Sequence, residues 1–298
     1  MKVFLAGSTG FVGHEVLNQL LAAGHTVRCL IRAGSEKKLP IRQDLEVRKG
    51  DVTDPASLEG ALEGCDAAIN LVGIIREFPS RGITFAKLHA EGTRRLVEAA
   101  RAQSVGRFLQ MSANGAGAQA STAYFATKWQ AEEAVRASDL QWTIFRPSII
   151  FGPGGEFVEM LTDMVKKLPV VPVVGNGKYR MSPVSVGEVA TGFVKALTLE
   201  ASIGHTYSCC GPESYSFNEI LDLVGRAMGK KRVRKLPQPV FLLKPVVSLL
   251  EGLPAFPLSS SQMTMLLEGN VCDPGTWSET FGIDPVSFAQ GIGTILKK

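Results

Sequence analysis

Lys2-Val3-Phe4-Leu5-Ala6-Gly7-Ser8-Thr9-Gly10-Phe11-Val12-Gly13 is the stretch from which the fold is read. Residues 3–6 form a short apolar run of strand character, and a helical pattern over 12–23 follows it directly. Three glycines stand at the junction, spaced G-x-x-G-x-x-G, and each has its own physical use. Gly7 permits a tight turn, Gly10 lets backbone amides approach a pyrophosphate, and Gly13 lets the helix pack close to the strand. The helix start then offers free N–H groups and the positive end of its dipole to an anion. A glycine triplet alone is a turn. Held between a strand and a helix, it predicts a dinucleotide phosphate loop made by Gly7, Ser8, Thr9, Gly10, Phe11, Val12 and Gly13.

Outward from this loop, strand-like runs at 27–31, 45–47, 67–72, 107–111 and 143–145 alternate with helical patterns near 55–63, 84–103 and 122–138. Such alternation predicts an α/β fold, a Rossmann-type doubly wound parallel sheet covered on both faces. Gly152-Pro153-Gly154-Gly155 reads as the loop where the chain leaves that sheet, with later helices over 186–199 and 217–228. The expected organisation is a nucleotide-binding domain over 1–150. Residues 151–298 then form mainly a smaller substrate-binding region, with some segments returning to the sheet.

Composition narrows the function classes. With 298 residues, 45% hydrophobic and 20% charged, the chain is neither disordered, collagen-like nor a disulfide mini-protein. A net charge of +4 without a basic stripe interleaved with aromatics gives no case for nucleic acid. The cysteines at 29, 65, 209, 210 and 272 contain no C-x-x-C pair and read as reduced thiols of a cytoplasmic protein, with Cys209-Cys210 at a buried strand end. His14, His25, His89 and His205 make no H-E-x-x-H pattern, and no metal is expected. The apolar start gives way to Gly7 too soon for a secretory leader, so none is expected. No apolar run reaches about 18 residues. The nearest approach, 237–258, is broken by Lys244, Glu251 and five prolines.

The chain resembles the extended and atypical short-chain dehydrogenase/reductases, the NAD-dependent epimerase/dehydratase family. The resemblance rests on the glycine spacing, Asp51-Val52 after the third strand, and Asn70-Leu71-Val72-Gly73 closing the fourth. Tyr124-Phe125-Ala126-Thr127-Lys128 matches the family's Y-x-x-x-K; Arg146-Pro147 with Gly152-Pro153 resembles its R-P-x-x-x-x-G-P segment. Pro183 to Ala190 resembles the entry to a substrate-domain helix. Within the family, the Asn-Leu-Val-Gly run, the Val174–Asn176 loop closing at Gly177 and the proline-rich tail are most similar to the branch around the nucleotide-binding accessory subunit of respiratory complex I. The resemblance implies that Asp51 and Val52 meet adenine, that Asn70, Leu71, Val72 and Gly73 line the cofactor ribose, and that Pro147 belongs to the cofactor site. Lys128 would hold the nicotinamide ribose, and a serine or threonine would orient the reacting oxygen. Ser112, 12 residues before Tyr124, is the candidate; Ser121 and Thr122 read as helix capping. One departure stands out: where extended members commonly carry Asn, three residues before Gly92-Thr93, this chain has His89. His89 reads either as a substitute hydrogen-bond donor or as a satisfied core side chain.

Cofactor and chemistry follow from charge. An acid usually reads the ribose 2′-hydroxyl about 20 residues past the glycines. Here Arg32 stands 19 residues after Gly13, with Lys37 and Lys38 close behind. An arginine can hold a 2′-phosphate bidentately, which favours NADP(H), with NAD(H) the alternative. Tyr124 and Lys128 lie four apart and share a helix face. An ammonium beside a phenol, helped by a positive nicotinamide, lowers the phenol's pKa and fits it for proton exchange with a substrate hydroxyl or carbonyl. The expected function is therefore redox or epimerase-type chemistry at a carbonyl or alcohol carbon of a small molecule, including nucleotide-sugar epimerisation or dehydration. The competing class is a non-catalytic NADP(H)-binding subunit or assembly factor.

Lys230, Lys231, Arg232, Arg234 and Lys235 precede an apolar segment, 240–250. That pairing reads as a peripheral contact with the inner face of a membrane or with a respiratory complex. Its alternative is a solvated turn before a helix that covers the substrate pocket. The sequence leaves the oligomeric state open.

Overall fold

The computed structural model describes residues 1–251 and 258–297. β1 (Lys2–Ala6) is apolar because it is buried along nearly its whole length between helices. The chain then alternates through α1 (Phe11–Ala22), β2 (Thr26–Ile31), β3 (Leu45–Lys49), α2 (Pro55–Leu58), β4 (Ala67–Asn70), α3 (Gly92–Ala102), β5 (Arg107–Met111), α4 (Ala123–Arg136) and β6 (Gln141–Pro147). Beyond β6 come β7 (Ile150–Phe151), α5 (Glu156–Lys167), β8 (Val171–Val174), β9 (Arg180–Met181), β10 (Val184–Ser185), α6 (Val186–Ala196) and β11 (His205–Cys209). The remaining elements are β12 (Tyr215–Ser216), α7 (Phe217–Ala227), β13 (Lys235–Gln238), α8 (Val240–Leu250), α9 (Ser260–Glu268), α10 (Gly275–Phe281) and α11 (Phe288–Leu296).

Seven strands form one sheet in the order β11-β6-β5-β4-β1-β2-β3, and the pairs from β3 through β6 are parallel. This is a Rossmann-like sheet. Its strand order reverses between β1 and β4, where an open α/β sheet has its ligand crevice at the carboxyl ends of the strands. Both loops of interest leave the sheet there. Residues 7–10 follow β1 and residues 71–73 follow β4, with the Leu71 amide still bonded to the Ala6 carbonyl at 3.0 Å.

The chain divides into two compact units. The first comprises 1–146, 187–208 and 276–283. Part of its core joins Phe4, Ala68, Phe108 and Ile144 of the sheet to Leu96 and Val97 of α3. The second comprises the described residues within 147–186, 209–275 and 284–298. Its core gathers Phe151, Leu161, Ile220, Leu221 and Phe288.

Several expectations shift. The strand expected over 67–72 ends at Asn70, whose side-chain oxygen takes the Val72 amide at 3.1 Å and turns the chain out of the sheet. The helix expected over 55–63 is one turn, capped at its start by Asp54. The pattern over 84–103 opens with a π-helical turn, Ala86–Glu91, before α3. Thr122 caps α4, as its position implies. The reading of all five cysteines as reduced thiols is overturned. Cys210 is joined to Cys272 with Cα atoms 6.0 Å apart, and Cys29, Cys65 and Cys209 are buried thiols outside that disulfide. The partners are 62 residues apart, so no local spacing signalled the pair. Within the apolar stretch 237–258, residues 252–257 lie outside the described residues. Among those described, no helix is long and apolar enough to cross a membrane.

Candidate functional site

The first unit carries the glycine loop at the switch point. Gly7 has φ +92°, a conformation that disfavours any side chain, and a Cβ there would lie 2.9 Å from the Leu71 carbonyl carbon. At Gly13 a Cβ would sit 2.0 Å from the Gly7 carbonyl oxygen, so only glycine lets α1 meet the loop. Gly10 precedes α1 with no side chain capping the helix and no acid in its first turn. The opening amides of α1, at Phe11, Val12 and Gly13, thus have no side-chain cap. Ser8 is wholly buried under the turn. The donor set is that of a pyrophosphate cradle, and the residues fit a dinucleotide.

Arg32 follows β2, exposed, with no side-chain hydrogen bond or ion pair among the described residues. Lys37 and Lys38 are exposed in the next turn, where Glu36 is engaged by Lys49 at 2.9 Å. Asp51 is engaged locally: its Oδ1 accepts from the Thr53 amide and hydroxyl, both at 2.8 Å. Val52 points into the core, where its Cγ2 would lie 3.0 Å from a Cβ on Gly92. Asn70 is similarly committed. Its Nδ2 donates to Thr93 Oγ1 and Gln110 Oε1, both at 3.0 Å. Leu71 is buried, Val72 half-buried and Gly73 exposed, so backbone rather than the Asn70 amide faces outward after β4. Pro147 is the buried last residue of β6.

Tyr124 and Lys128 lie on α4, one turn apart on the same face. The phenol is half-buried, and burial pushes it up to about 12, opposite to the lowering expected from Lys128. Its ring packs edge-on against Phe85, His89 and Phe125, with centroids 5.3–5.6 Å away. The Lys128 ammonium is buried and donates to the Met111 carbonyl at 3.4 Å. Burial brings it down to about 8, against the pull of Glu132 one turn further on. Gly73 adjoins it: a Cβ there would be 3.0 Å from Lys128 Nζ and 3.6 Å from His89 Nε2. Ser112 follows β5, and its hydroxyl is buried with no hydrogen-bond partner among the described residues. A buried hydroxyl left unbonded is costly unless a ligand completes it.

His89 is held in one tautomer. Its Nε2 accepts the Ile74 amide at 3.1 Å, so the neutral ring carries its proton on Nδ1 and donates to Thr127 Oγ1, 3.1 Å away. Thr127 in turn donates to the Ala123 and Tyr124 carbonyls at 2.8 and 3.0 Å. Burial, then the Lys128 charge, lowers the imidazole to about 2. Below its ordinary 6.5 the unfolded chain binds a proton that the folded chain refuses, so stability drops as pH drops, by up to about 1.4 kcal/mol per unit. Urea titrations at several pH values are expected to show that slope, and His89→Asn is expected to flatten it.

The profile of the NAD(P)H-binding family matches residues 7–198, spanning the glycine loop and the Tyr124–Lys128 pair. The chain belongs to that family. This NAD(P)H-binding chain is 28% identical to the mitochondrial NADH-ubiquinone oxidoreductase 40 kDa subunit of Neurospora crassa, over 95% of this chain and 76% of the relative. It is 30% identical to the ceramide reductase of Caulobacter vibrioides, over 80% of this chain and 75% of the relative. Its fold superposes with a TM-score of 0.79 on a dTDP-glucose 4,6-dehydratase from Streptomyces venezuelae bound to NAD, at 19% identity over 100% of this chain and 96% of that one. The NAD(P)-binding reading and the similarity to the complex I accessory-subunit branch therefore hold, on a fold shared with this dehydratase.

Three features on and around α4 in this NAD(P)H-binding chain escape a reading of the sequence. Thr127, the middle of the His89 relay, sits inside the Y-x-x-x-K run, where its hydroxyl is a visible signal. Phe85 stacks on His89 at 5.3 Å, four residues before it on the same helical stretch. Glu132 is fully buried and grips Arg146 through two bonds, at 2.8 and 2.6 Å, while also meeting Arg136 at 2.5 Å. An acid one turn beyond Lys128 is the available clue.

Proposed function

We propose that this chain is an NADPH-dependent reductase acting at a carbonyl carbon of a small molecule, with Tyr124 as proton donor, Lys128 as its electrostatic partner and Ser112 as orienter. The observation that carries the reading is the Tyr124–Lys128 face together with a buried Ser112 hydroxyl that has no hydrogen-bond partner among the described residues. When bound, the reduced nicotinamide supplies the hydride. A phenol at about 12 is fully protonated at neutral pH, which suits donation to a carbonyl oxygen as it gains negative charge. Lys128, charged below about 8, stabilises the phenolate left behind and is placed to hold the nicotinamide ribose. Ser112 donates to the same substrate oxygen and fixes its direction. Leu71, Val72 and Gly73 line the ribose, the amides of α1 take the pyrophosphate, and Asp51 with the backbone of Val52 borders the adenine, the Val52 side chain being packed in the core. The Caulobacter relative, named as a reductase, supports reduction over sugar epimerisation.

NADPH is the proposed cofactor because Arg32 is a cation with no partner among the described residues where NAD-specific sites place an acid. Arg32→Ala is expected to weaken NADPH binding about tenfold to a hundredfold, the loss of a charged hydrogen bond pair, and to leave NADH binding nearly unchanged. Fluorescence titration with both cofactors checks this; an equal effect on the two contradicts it.

A second reading is favoured by the Neurospora similarity, which spans 95% of this chain. On that reading the chain holds NADP(H) without turnover, as a subunit or assembly factor at the inner, cytoplasmic face of a membrane, with 230–250 as its contact segment. Tight NADPH binding without oxidation by any carbonyl compound would decide for it.

A further inference from the structure

We propose that the outward face of α8 docks in the interfacial layer of a bilayer containing anionic phospholipid. The proposal rests on the contact-segment reading above only for its location, and it commits that segment to lipid. Of α8's residues Val247 is the buried one, while Phe241 and Leu249 are 74% and 81% exposed and Leu242 and Val246 are exposed beside them. At 100° per residue, Phe241, Leu242, Pro245, Val246 and Leu249 fall within one arc of about 140° that excludes Val247. The helix thus has an apolar face turned to its own unit and a second apolar face turned away. A globular helix needs only one of these. Leu236, on the strand that leads into α8, is a further exposed apolar side chain.

The charges before α8 are mostly positive. Arg226, Lys230, Lys231 and Arg232 line a surface groove of about 340 Å³ with Asp222 and Val233. The Asp222 carboxylate is taken by Lys235 at 2.6 Å. Lys230 donates to the Val165 carbonyl. Arg226, Lys231, Arg232 and Arg234, with Lys244 on α8 itself, make no ion pair among the described residues. A cationic segment leading directly into an apolar helix face, with Lys244 on that helix, matches the layering of a phospholipid interface, phosphates outside and acyl chains within. A second copy of the chain fits poorly, because self-pairing of this face would set five unpaired cations against five. The uncharged apolar arc fixes the depth, and the cations select the lipid.

The test is cosedimentation of the full chain with vesicles of phosphatidylcholine containing one third phosphatidylglycerol, and with phosphatidylcholine alone. Binding is expected to be at least tenfold stronger to the anionic vesicles and to weaken as salt rises. Phe241→Glu with Leu249→Glu is expected to abolish it while NADPH binding and the unfolding midpoint stay unchanged. Should that variant misfold, Arg232→Glu with Arg234→Glu supplies the same readout, a loss of at least tenfold on anionic vesicles. Absence of vesicle binding, or binding undiminished by the substitutions, overturns the proposal. So does a dimer that Phe241→Glu with Leu249→Glu turns into monomer without any vesicle binding. NADPH oxidation by carbonyl compounds, measured on the same samples, separates the outcomes: lipid docking can fail with hydride transfer intact, and the reverse.

Discussion

Tyr124→Phe is expected to lower carbonyl reduction by about a hundredfold to ten-thousandfold, with NADPH still bound at unchanged affinity. The substitution removes one oxygen and leaves the ring, which packs against Phe85, His89 and Phe125 and keeps its place. The fold and the α4 face are therefore preserved, and the loss reports the missing proton. The pH profile adds a second check. Burial holds Lys128 at about 8 in the free protein, so its charge, and with it the support for a developing phenolate, fades as pH rises through that value. Reduction is expected to decline above about pH 8, and Lys128→Met is expected to be slow at every pH. Initial rates with saturating NADPH would show both. A Tyr124→Phe variant that reduces at the wild-type rate would remove Tyr124 from the chemistry.

The other large effect belongs to the loop. Gly13→Ala places a methyl carbon 2.0 Å from the Gly7 oxygen, 2.7 Å from its carbon and 2.9 Å from the Ser8 Cα. All three are backbone atoms next to a strand buried on both faces, so no flexible side chain can move aside. Either α1 lifts from β1 or the loop opens. Overpacking of this kind costs about 3 kcal/mol or more, and in a unit of this size that lowers the unfolding midpoint by roughly 6–12 °C. NADPH affinity is expected to fall as well, because the displaced amides are those proposed to meet the pyrophosphate. Thermal denaturation and fluorescence titration test the pair of effects. Normal stability and normal binding in Gly13→Ala would mean that α1 does not need its close approach to the loop.

Both effects arise from features legible in the amino-acid sequence. β1 and β4 are buried on both faces, which forces unbroken apolar runs, and the glycine spacing between such a run and a helix has few other uses. Arg32, Tyr124 and Lys128 are readable because each sits at a fixed offset from a recognisable element. Asn70 and Asp51 are readable as positions, yet their side chains turn to the protein: Asn70 to Thr93 and Gln110, Asp51 to Thr53. The His89 relay is out of reach because it joins three segments, the turn after β4, the π-helical turn and α4, through hydrogen bonds that no single spacing encodes. The Cys210–Cys272 pair is hidden for the same reason, its partners being brought together by folding. The outward apolar face of α8 shows a different limit. Its composition is plain, but which apolar side chains face inward is decided by packing.

Hydride delivery to a carbonyl carbon is the step on which the proposed function depends. The direct measurement is incubation of the protein with NADPH deuterated at the transferable nicotinamide position and a panel of small and long-chain carbonyl compounds, followed by mass spectrometry of the alcohols. The prediction is deuterium on the carbinol carbon of at least one product with the wild type, reduced to trace by Tyr124→Phe. Tight NADPH binding with no deuterium in any product would contradict it, and would leave the chain as a holder of the cofactor.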